Sequence, residues 1–395
     1  MTPVPGGAFA SVEVYDDIDK AQPVWTALIQ TAFVSTYQNP FFLKAWVDNV
    51  AAHEGVRPMI VVARDEEGRA VALLPLGRRR QLGARIAEFL GGSHVNYNAP
   101  VIRRDALARF TREESLRLLA EAARQTGVDL YVLRRQPAEW EGEANPFAAL
   151  PSLPSTDPAY RGPLAPSFED YERLNFSAKT RSKQRRKMRR FEERGATRLY
   201  HADNDADRDR LIDAFLDQKA RQFANRGVGD VFDKPGVRDF LASAAGIGGR
   251  PPALDLYGFD VEGEAIAVAG GLIHDGRYSG MLLSITSGDN AKYSPGEMLL
   301  NFVVAEQIRR GARTFDLGVG AAGYKTMYCP DVEILRDTLL GVTPIGRAVA
   351  GVLSARTAAT TWVKSNPRAY ALVTRLRGLR ARQRSEPEAA AAADD

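Results

Sequence analysis

Two tight-turn dipeptides, Glu262–Gly263 and Asp275–Gly276, constrain this chain more than any other feature. Such a pair between apolar runs sets two strands antiparallel, because a two-residue hairpin turn needs positive φ, which glycine adopts freely. The flanking runs fit that role. Leu254–Val261 alternates apolar and polar residues, Ala265–Ile273 is small and apolar, and Tyr278–Ile285 completes a three-stranded meander. The middle run predicts burial on both faces. A polar loop, Thr286 to Lys292, leads into Tyr293-Ser294-Pro295-Gly296-Glu297. Here Ser294 predicts an N-cap, Pro295 suits the first helical position, and Glu297 lies three residues on, as in a capping box. Met298, Leu299, Phe302, Val303 and Ile308 carry the helix to a stop at Gly311. A strand and a glycine-rich turn through Asp316, Gly318 and Gly320 finish the stretch before Cys329.

The start of that helix combines free N–H groups, the positive end of the helix dipole and a glycine. Ser294, Gly296, Glu297 and Met298 therefore mark a place where a diphosphate can rest on the backbone. The same residues equally describe an ordinary capped helix after a meander.

The chain has 395 residues, enough for two domains with separate cores. Its hydrophobic content of 45% and charged content of 26% are those of a globular protein. A single cysteine excludes an intrachain disulfide and a multi-cysteine metal site. The N-terminus shows no basic region followed by an apolar run, and no stretch approaches ~20 apolar residues, so the expectation is a cytoplasmic protein.

Elsewhere the elements alternate. A helix is predicted over 19–32, and another after Asn39, which caps Pro40. Met59–Ala63 and Ala70–Leu76 read as strands about Gly68, and Ala84–Leu90 as a third. After the polar loop Gly91–Asn98 come a helix over Glu113–Gly127 and a buried strand, Leu130–Leu133. Residues 136–166, rich in Pro, Ala, Ser and Gly, read as the crossing between halves. Lys179–Arg194 carries nine Lys or Arg against Glu192 and Glu193. That run is a solvated helix, an anion-binding face for CoA phosphates, a glycan or a lipid, or a nucleic-acid contact; without interleaved aromatics DNA is not expected. Helices follow over Asp207–Gln222 and Pro235–Ala245, then Val332–Val342 as a closing strand. Ile345–Val363 and Arg368–Arg382 read as basic amphipathic helices, which permits weak contact with an anionic membrane surface. The low-complexity end, Ser385–Asp395, reads as disordered.

The motifs Tyr293–Leu299 (YSPGEML), Gly311–Gly320 (G-x-x-x-F-D-L-G-x-G) and Tyr324-Lys325, after Leu90–Ile102 and Ser177–Gly195, resemble in order and spacing the GNAT-type acyltransferases of the CelD-like (cellulose-biosynthesis-associated) group. That group is related to the FemAB/FemX transferases, in which the GNAT unit occurs twice. The resemblance spans residues 35 to 345 and implies an α/β (α+β) fold of tandem GNAT-like units, each a mixed twisted sheet flanked by helices. It sets a degenerate N-terminal unit at 11–150, a C-terminal unit at 165–345 and a basic helical extension at 346–395. No direct sequence repeat is visible, so the duplication rests on the resemblance.

The implied activity is acyl-CoA-dependent N- or O-acyl transfer, with acetyl-CoA or another acyl-CoA as co-substrate, no metal, and a small-molecule, glycan or envelope-precursor acceptor linked to exopolysaccharide. Such transfer needs a donor to the thioester carbonyl, a way to remove the acceptor's proton and an acid for the thiolate. Tyr324 is the candidate acid, or a packed aromatic. Lys325 is a contact to phosphate or acyl oxygen, or a surface lysine, and Asp316 a base, or a carboxylate satisfying backbone N–H groups. The loop with His94, Asn96 and Tyr97 is the candidate acceptor site, although relatives tend to carry Asp-Tyr where this chain has Asn96-Tyr97. Lys219 and Arg221 can face the cleft, and Cys329 reads as a buried thiol. The chain lacks the Q/R-x-x-G-x-G/A signature of typical GNAT enzymes. Two alternatives therefore stand: a FemX-like aminoacyl-tRNA-dependent transferase, and a GNAT-fold binding protein without catalysis.

Overall fold

The structure, a computed structural model, describes residues 7–226 and 230–366. The predicted helix Arg368–Arg382 and the C-terminal low-complexity stretch lie outside the described residues. Two mixed sheets flanked by helices organise the rest, an α/β fold as the sequence predicts.

Each sheet is built by the same steps. In the first, a meander of Arg57–Arg64, Ala70–Gln81 and Ala84–Phe89 is followed by a crossover through helix Arg112–Thr126 to a parallel strand, Leu130–Pro137. In the second, Asp255–Val261, Glu264–His274 and Arg277–Ile285 form the meander, helix Pro295–Arg309 the crossover, and Thr314–Val319 the parallel strand. Four hairpin turns pair a non-glycine at positive φ with a glycine: Leu82–Gly83, Glu141–Gly142, Glu262–Gly263 and Asp275–Gly276. The last two are those read from the sequence.

The halves then exchange strands. Leu335–Gly341, late in the chain, pairs antiparallel with Leu130–Pro137 and with Ser152–Pro154 in the first sheet. Reciprocally, Ala159–Pro163 pairs with Thr314–Val319 and with Asp331–Glu333 in the second. The run 136–166, read as a crossing, thus supplies a strand to each sheet. The predicted closing strand divides at Ile334 and sends its longer part into the first sheet. The expected boundaries at 150 and 165 fall on either side of the exchanged strand 159–163, and 165–345 includes the strand that serves the other half.

A shared core reinforces the exchange. Phe42 of helix Pro40–Trp46 meets Phe240 of helix Val237–Ala244 edge-on with ring centroids 5.3 Å apart. Trp25, Trp46, Leu211, Phe215 and Leu256 belong to the same buried cluster. The C-terminal helix, Pro344–Ser365, packs by Val349 and Leu353 against Ile86, Leu130 and Val132 of the first sheet. No helix among the described residues is long and apolar enough to cross a membrane.

Candidate active site

Strands Arg277–Ile285 and Thr314–Val319 hold together for three rungs only, Arg277 with Thr314, Tyr278 with Phe315 and Ser279 with Asp316. Beyond Ser279 and Asp316 the ladder ends although both strands continue, so the sheet opens there as a wedge. Helix Pro295–Arg309 starts past the open end of the first strand: a Cβ on Gly296 would stand 3.1 Å from Ile285 Cγ2. The N-terminus of the crossover helix thus lies beside the last residue of that strand.

The capping box predicted for that helix does not form. Ser294 has φ +58° and makes no side-chain cap bond, whereas an N-cap that bonds its helix is extended. Lys187 of the basic helix Ala178–Glu192 takes both side chains instead, donating to Ser294 Oγ at 2.8 Å and Glu297 Oε2 at 2.7 Å. Arg190 and Arg194 lie 5.5 and 5.6 Å from the Tyr293 ring centroid. The basic run therefore packs beside the helix N-terminus, anchored by buried Phe191, and adds cationic groups where the dipole is already positive.

At the root of the wedge lies an ion pair that sequence reading missed. Arg277, 1% exposed, donates from Nε and Nη2 to Asp316 Oδ2 at 3.1 and 2.8 Å and also binds Glu141 and Glu333, each at 3.2 Å. Its guanidinium sits 3.6 Å from the Trp140 ring centroid. Burial pushes the Glu333 carboxyl up, opposed by Arg277. Asp316, fully buried, also accepts from Tyr97 Oη, Ser279 Oγ and the Gly318 amide. Of the two roles the sequence offered for Asp316, a base or a carboxylate satisfying backbone N–H groups, the Gly318 bond fits the second, and these contacts organise the root of the wedge. The separation of the partners along the chain, 277 and 316, gave no local signal for the pair.

The acceptor-site candidates His94, Asn96 and Tyr97 are each held by hydrogen bonds within the protein. Tyr97 is fully buried and donates to Asp316 Oδ1 at 2.8 Å. Asn96 Nδ2 donates to Gly280 O at 3.1 Å and Tyr37 Oη at 2.8 Å, and its Oδ1 accepts from the Val319 amide at 3.4 Å. One amide from the first half thus spans both strands of the wedge in the second. Gly318, at φ +70°, is needed for this contact, since a Cβ would lie 2.2 Å from Asn96 Nδ2. His94 receives a bond from Trp46 Nε1, reaches Val231 O, and is held below its ordinary pKa by burial, hence neutral near pH 7. Asn rather than Asp at 96 suits this bridge, which requires both a donor and an acceptor.

Lys325 and Tyr324 stand differently. Lys325 is 8% exposed and donates to Gly318 O at 3.2 Å and Val319 O at 2.8 Å, at the far end of the wedge strand. Burial lowers its pKa to about 8, Asp316 raising it and Lys219 lowering it further. Lys219, on helix Asp205–Arg226, is therefore electrostatically close to Lys325; its ammonium bonds Gln222 Oε1 at 3.1 Å. Labelling of Lys325 with an amine-reactive reagent across pH is expected to show a midpoint near 8. Lys219→Gln should move it upward, because it removes a like charge. A midpoint near 10 in both proteins would contradict this environment.

Burial raises the Tyr324 pKa, so the phenol keeps its proton at neutral pH. Cys329 is fully buried beneath, bonded to Phe315 O at 3.4 Å, with its thiol pushed far up. It is no nucleophile.

Two adjoining cavities, about 370 and 420 Å³, open on the first sheet and share Arg79, Glu88, Val132, Arg134 and Arg135. They occupy the place in the first half where Ala84–Phe89 and Leu130–Pro137 part after three rungs. Ser93 and Asn98 line one, and Val319, Asp157 and Arg356 the other. Val319, whose carbonyl binds Lys325, thus joins the cavity of about 370 Å³ to the end of the wedge. Ser294, Gly296, Glu297 and Met298 line neither.

The stretch that builds the wedge matches a GNAT-type domain. Residues 178–326, from the basic helix to the turn after Lys325, match the family model described as an acetyltransferase (GNAT) domain. Solved structures share the fold over most of the chain. FemX is 10% identical, with a TM-score of 0.57, over 86% of this chain and all (100%) of that one. The C-terminal DUF2156 domain of a protein described as a lysylphosphatidylglycerol synthetase from Agrobacterium fabrum is 11% identical, with a TM-score of 0.51, over 84% and 95%. A conserved protein of unknown function from Bacteroides thetaiotaomicron is 13% identical, with a TM-score of 0.51, over 84% and 100%. No curated protein matches the sequence.

Proposed function

We propose that the chain is an acyl-CoA-dependent N- or O-acyltransferase whose donor lies along the wedge. The carrying observation is the three-rung parallel pair that opens beside the N-terminus of helix Pro295–Arg309, within the segment matched as a GNAT domain. In this reading the donor diphosphate rests on the amides at Gly296–Met298, with Lys187 close by as a counter-charge. The pantetheine arm follows the edge of Arg277–Ile285 beyond Gly280, whose backbone groups would hydrogen-bond its amides, since those of Gly318 and Val319 are already held by Asp316, Asn96 and Lys325.

The thioester then lies near Val319. Lys325, already fixed by two carbonyls, keeps a third N–H for the carbonyl oxygen as negative charge develops there. Attack by the acceptor's nitrogen or oxygen forms the new acyl bond and breaks the bond to sulfur. The acceptor's proton passes to water, and Tyr324 protonates the departing thiolate. The acceptor enters from the cavities around Arg134 and Arg135, which adjoin Val319. We place the protein in the CelD-like group, acting in the cytoplasm on a glycan or envelope precursor, on the strength of the motifs quoted above.

Calorimetric titration with acetyl-CoA and longer acyl-CoAs tests the donor class, and micromolar binding is expected. Binding of aminoacyl-tRNA, falling steeply with salt, without response to any acyl-CoA would replace this reading with a FemX-like one.

A further inference from the structure

The strand Ala70–Gln81 ends in Arg78-Arg79-Arg80, and the ladder sets like charge against like. Arg57 stands directly across from Arg78, and Arg80 directly across from Arg85. Like charges at facing positions oppose strand pairing. Here two such pairs lie two rungs apart on one face, and both line a single cavity of about 510 Å³. Arg79, Gly55, Thr126 and Val128 complete it, without a carboxylate. Arg79 is neutralised by Glu88 and Arg85 by Asp129; among the described residues Arg57, Arg78 and Arg80 make no ion pair.

We propose that this cavity binds a phosphate-bearing small molecule whose phosphoryl oxygens bridge the facing arginines. Guanidinium forks match phosphate geometry, and an anion between them turns both repulsive pairs into favourable ones. None of the residues lining it belongs to the donor wedge, and Arg79 alone is shared with the two cavities on the other face of the strand. Its walls favour a small ligand over a polymer or a bilayer. They offer no aromatic ring on which a nucleic-acid base could stack, and Val128 is the one large apolar side chain to meet acyl chains.

The test is calorimetric titration with inorganic pyrophosphate at low salt, paired with thermal melts, on wild type, Arg57→Ser/Arg78→Ser and Arg80→Ser. Each protein is also made with Gly296→Asp, which removes the donor helix from the readout. Wild type and Gly296→Asp are expected to bind pyrophosphate and melt higher with it. The arginine variants should bind at least about tenfold more weakly, keep their acetyl-CoA response, and, without ligand, melt no lower than wild type, because one repulsive pair is gone. Absent binding by wild type, equal binding by the variants, or capture of phosphatidylglycerol vesicles with no response to pyrophosphate would overturn the proposal.

Discussion

Replacing Arg277 with methionine is expected to destabilise the protein by about 3–5 kcal/mol, because a buried charge is left without its partner. Arg277 answers three carboxylates at once, Asp316, Glu141 and Glu333. Removing it leaves Asp316 fully buried without its ion-pair partner. A methionine preserves much of the volume against Trp140, so packing contributes little to the loss. The double variant Arg277→Met/Asp316→Leu should recover part of the loss, since two apolar groups replace the pair, while the Tyr97 and Ser279 hydroxyls and the Gly318 amide lose an acceptor and Glu141 and Glu333 lose their cation. Denaturant unfolding of both variants decides it. A loss near that of an exposed pair, below about 1 kcal/mol for Arg277→Met, would show that the root of the wedge is wet and that the pair does not organise it.

An excised fragment 165–345 is expected not to fold, although it contains the whole segment matched as a GNAT domain. It lacks Ala159–Pro163, so Thr314–Val319 and Asp331–Glu333 lose the strand between them. It carries Leu335–Gly341 without the two strands that strand pairs with, which leaves exposed edges prone to association. It also bares Val237, Phe240 and Leu241, whose cover is the helix Pro40–Trp46. Size-exclusion and amide NMR on the fragment should show aggregates or a collapsed, undispersed spectrum. A dispersed, monomeric fragment with a cooperative melt would mean that the exchanged strands are dispensable.

What could be read from the sequence followed the locality of its cause. The hairpins at Glu262–Gly263 and Asp275–Gly276, the Asn39 cap and the Gly127 stop are each decided within a few residues, and each forms as read. Ser294 fails for a reason outside its own segment: Lys187, more than a hundred residues earlier, competes for both members of the capping box. The strand Ala70–Gln81 runs beyond the predicted Leu76 because charged residues continue the ladder once the apolar ones have set its register. The loop with Asn96 and Tyr97 reads as a candidate acceptor site from its sequence, but the partners of these residues, Gly280, Asp316 and Val319, are brought near only by the tertiary fold. The strand exchange carries no local code, since Ala159–Pro163 and Leu335–Gly341 look like any short strand. The sequence marks Lys325 by its motif, while its lowered pKa comes from burial, which only the fold supplies.

The central claim, that the wedge and the start of helix Pro295–Arg309 hold an acyl-CoA, is tested most directly by titrating Gly296→Asp with acetyl-CoA beside the wild type. Aspartate is well tolerated in a first helical turn, so the fold should survive, while its carboxylate repels a diphosphate at those amides. Wild-type binding that the variant loses by at least about tenfold, with an unchanged melting temperature, is the predicted result. Equal affinity in the two proteins would place the donor elsewhere and contradict the account.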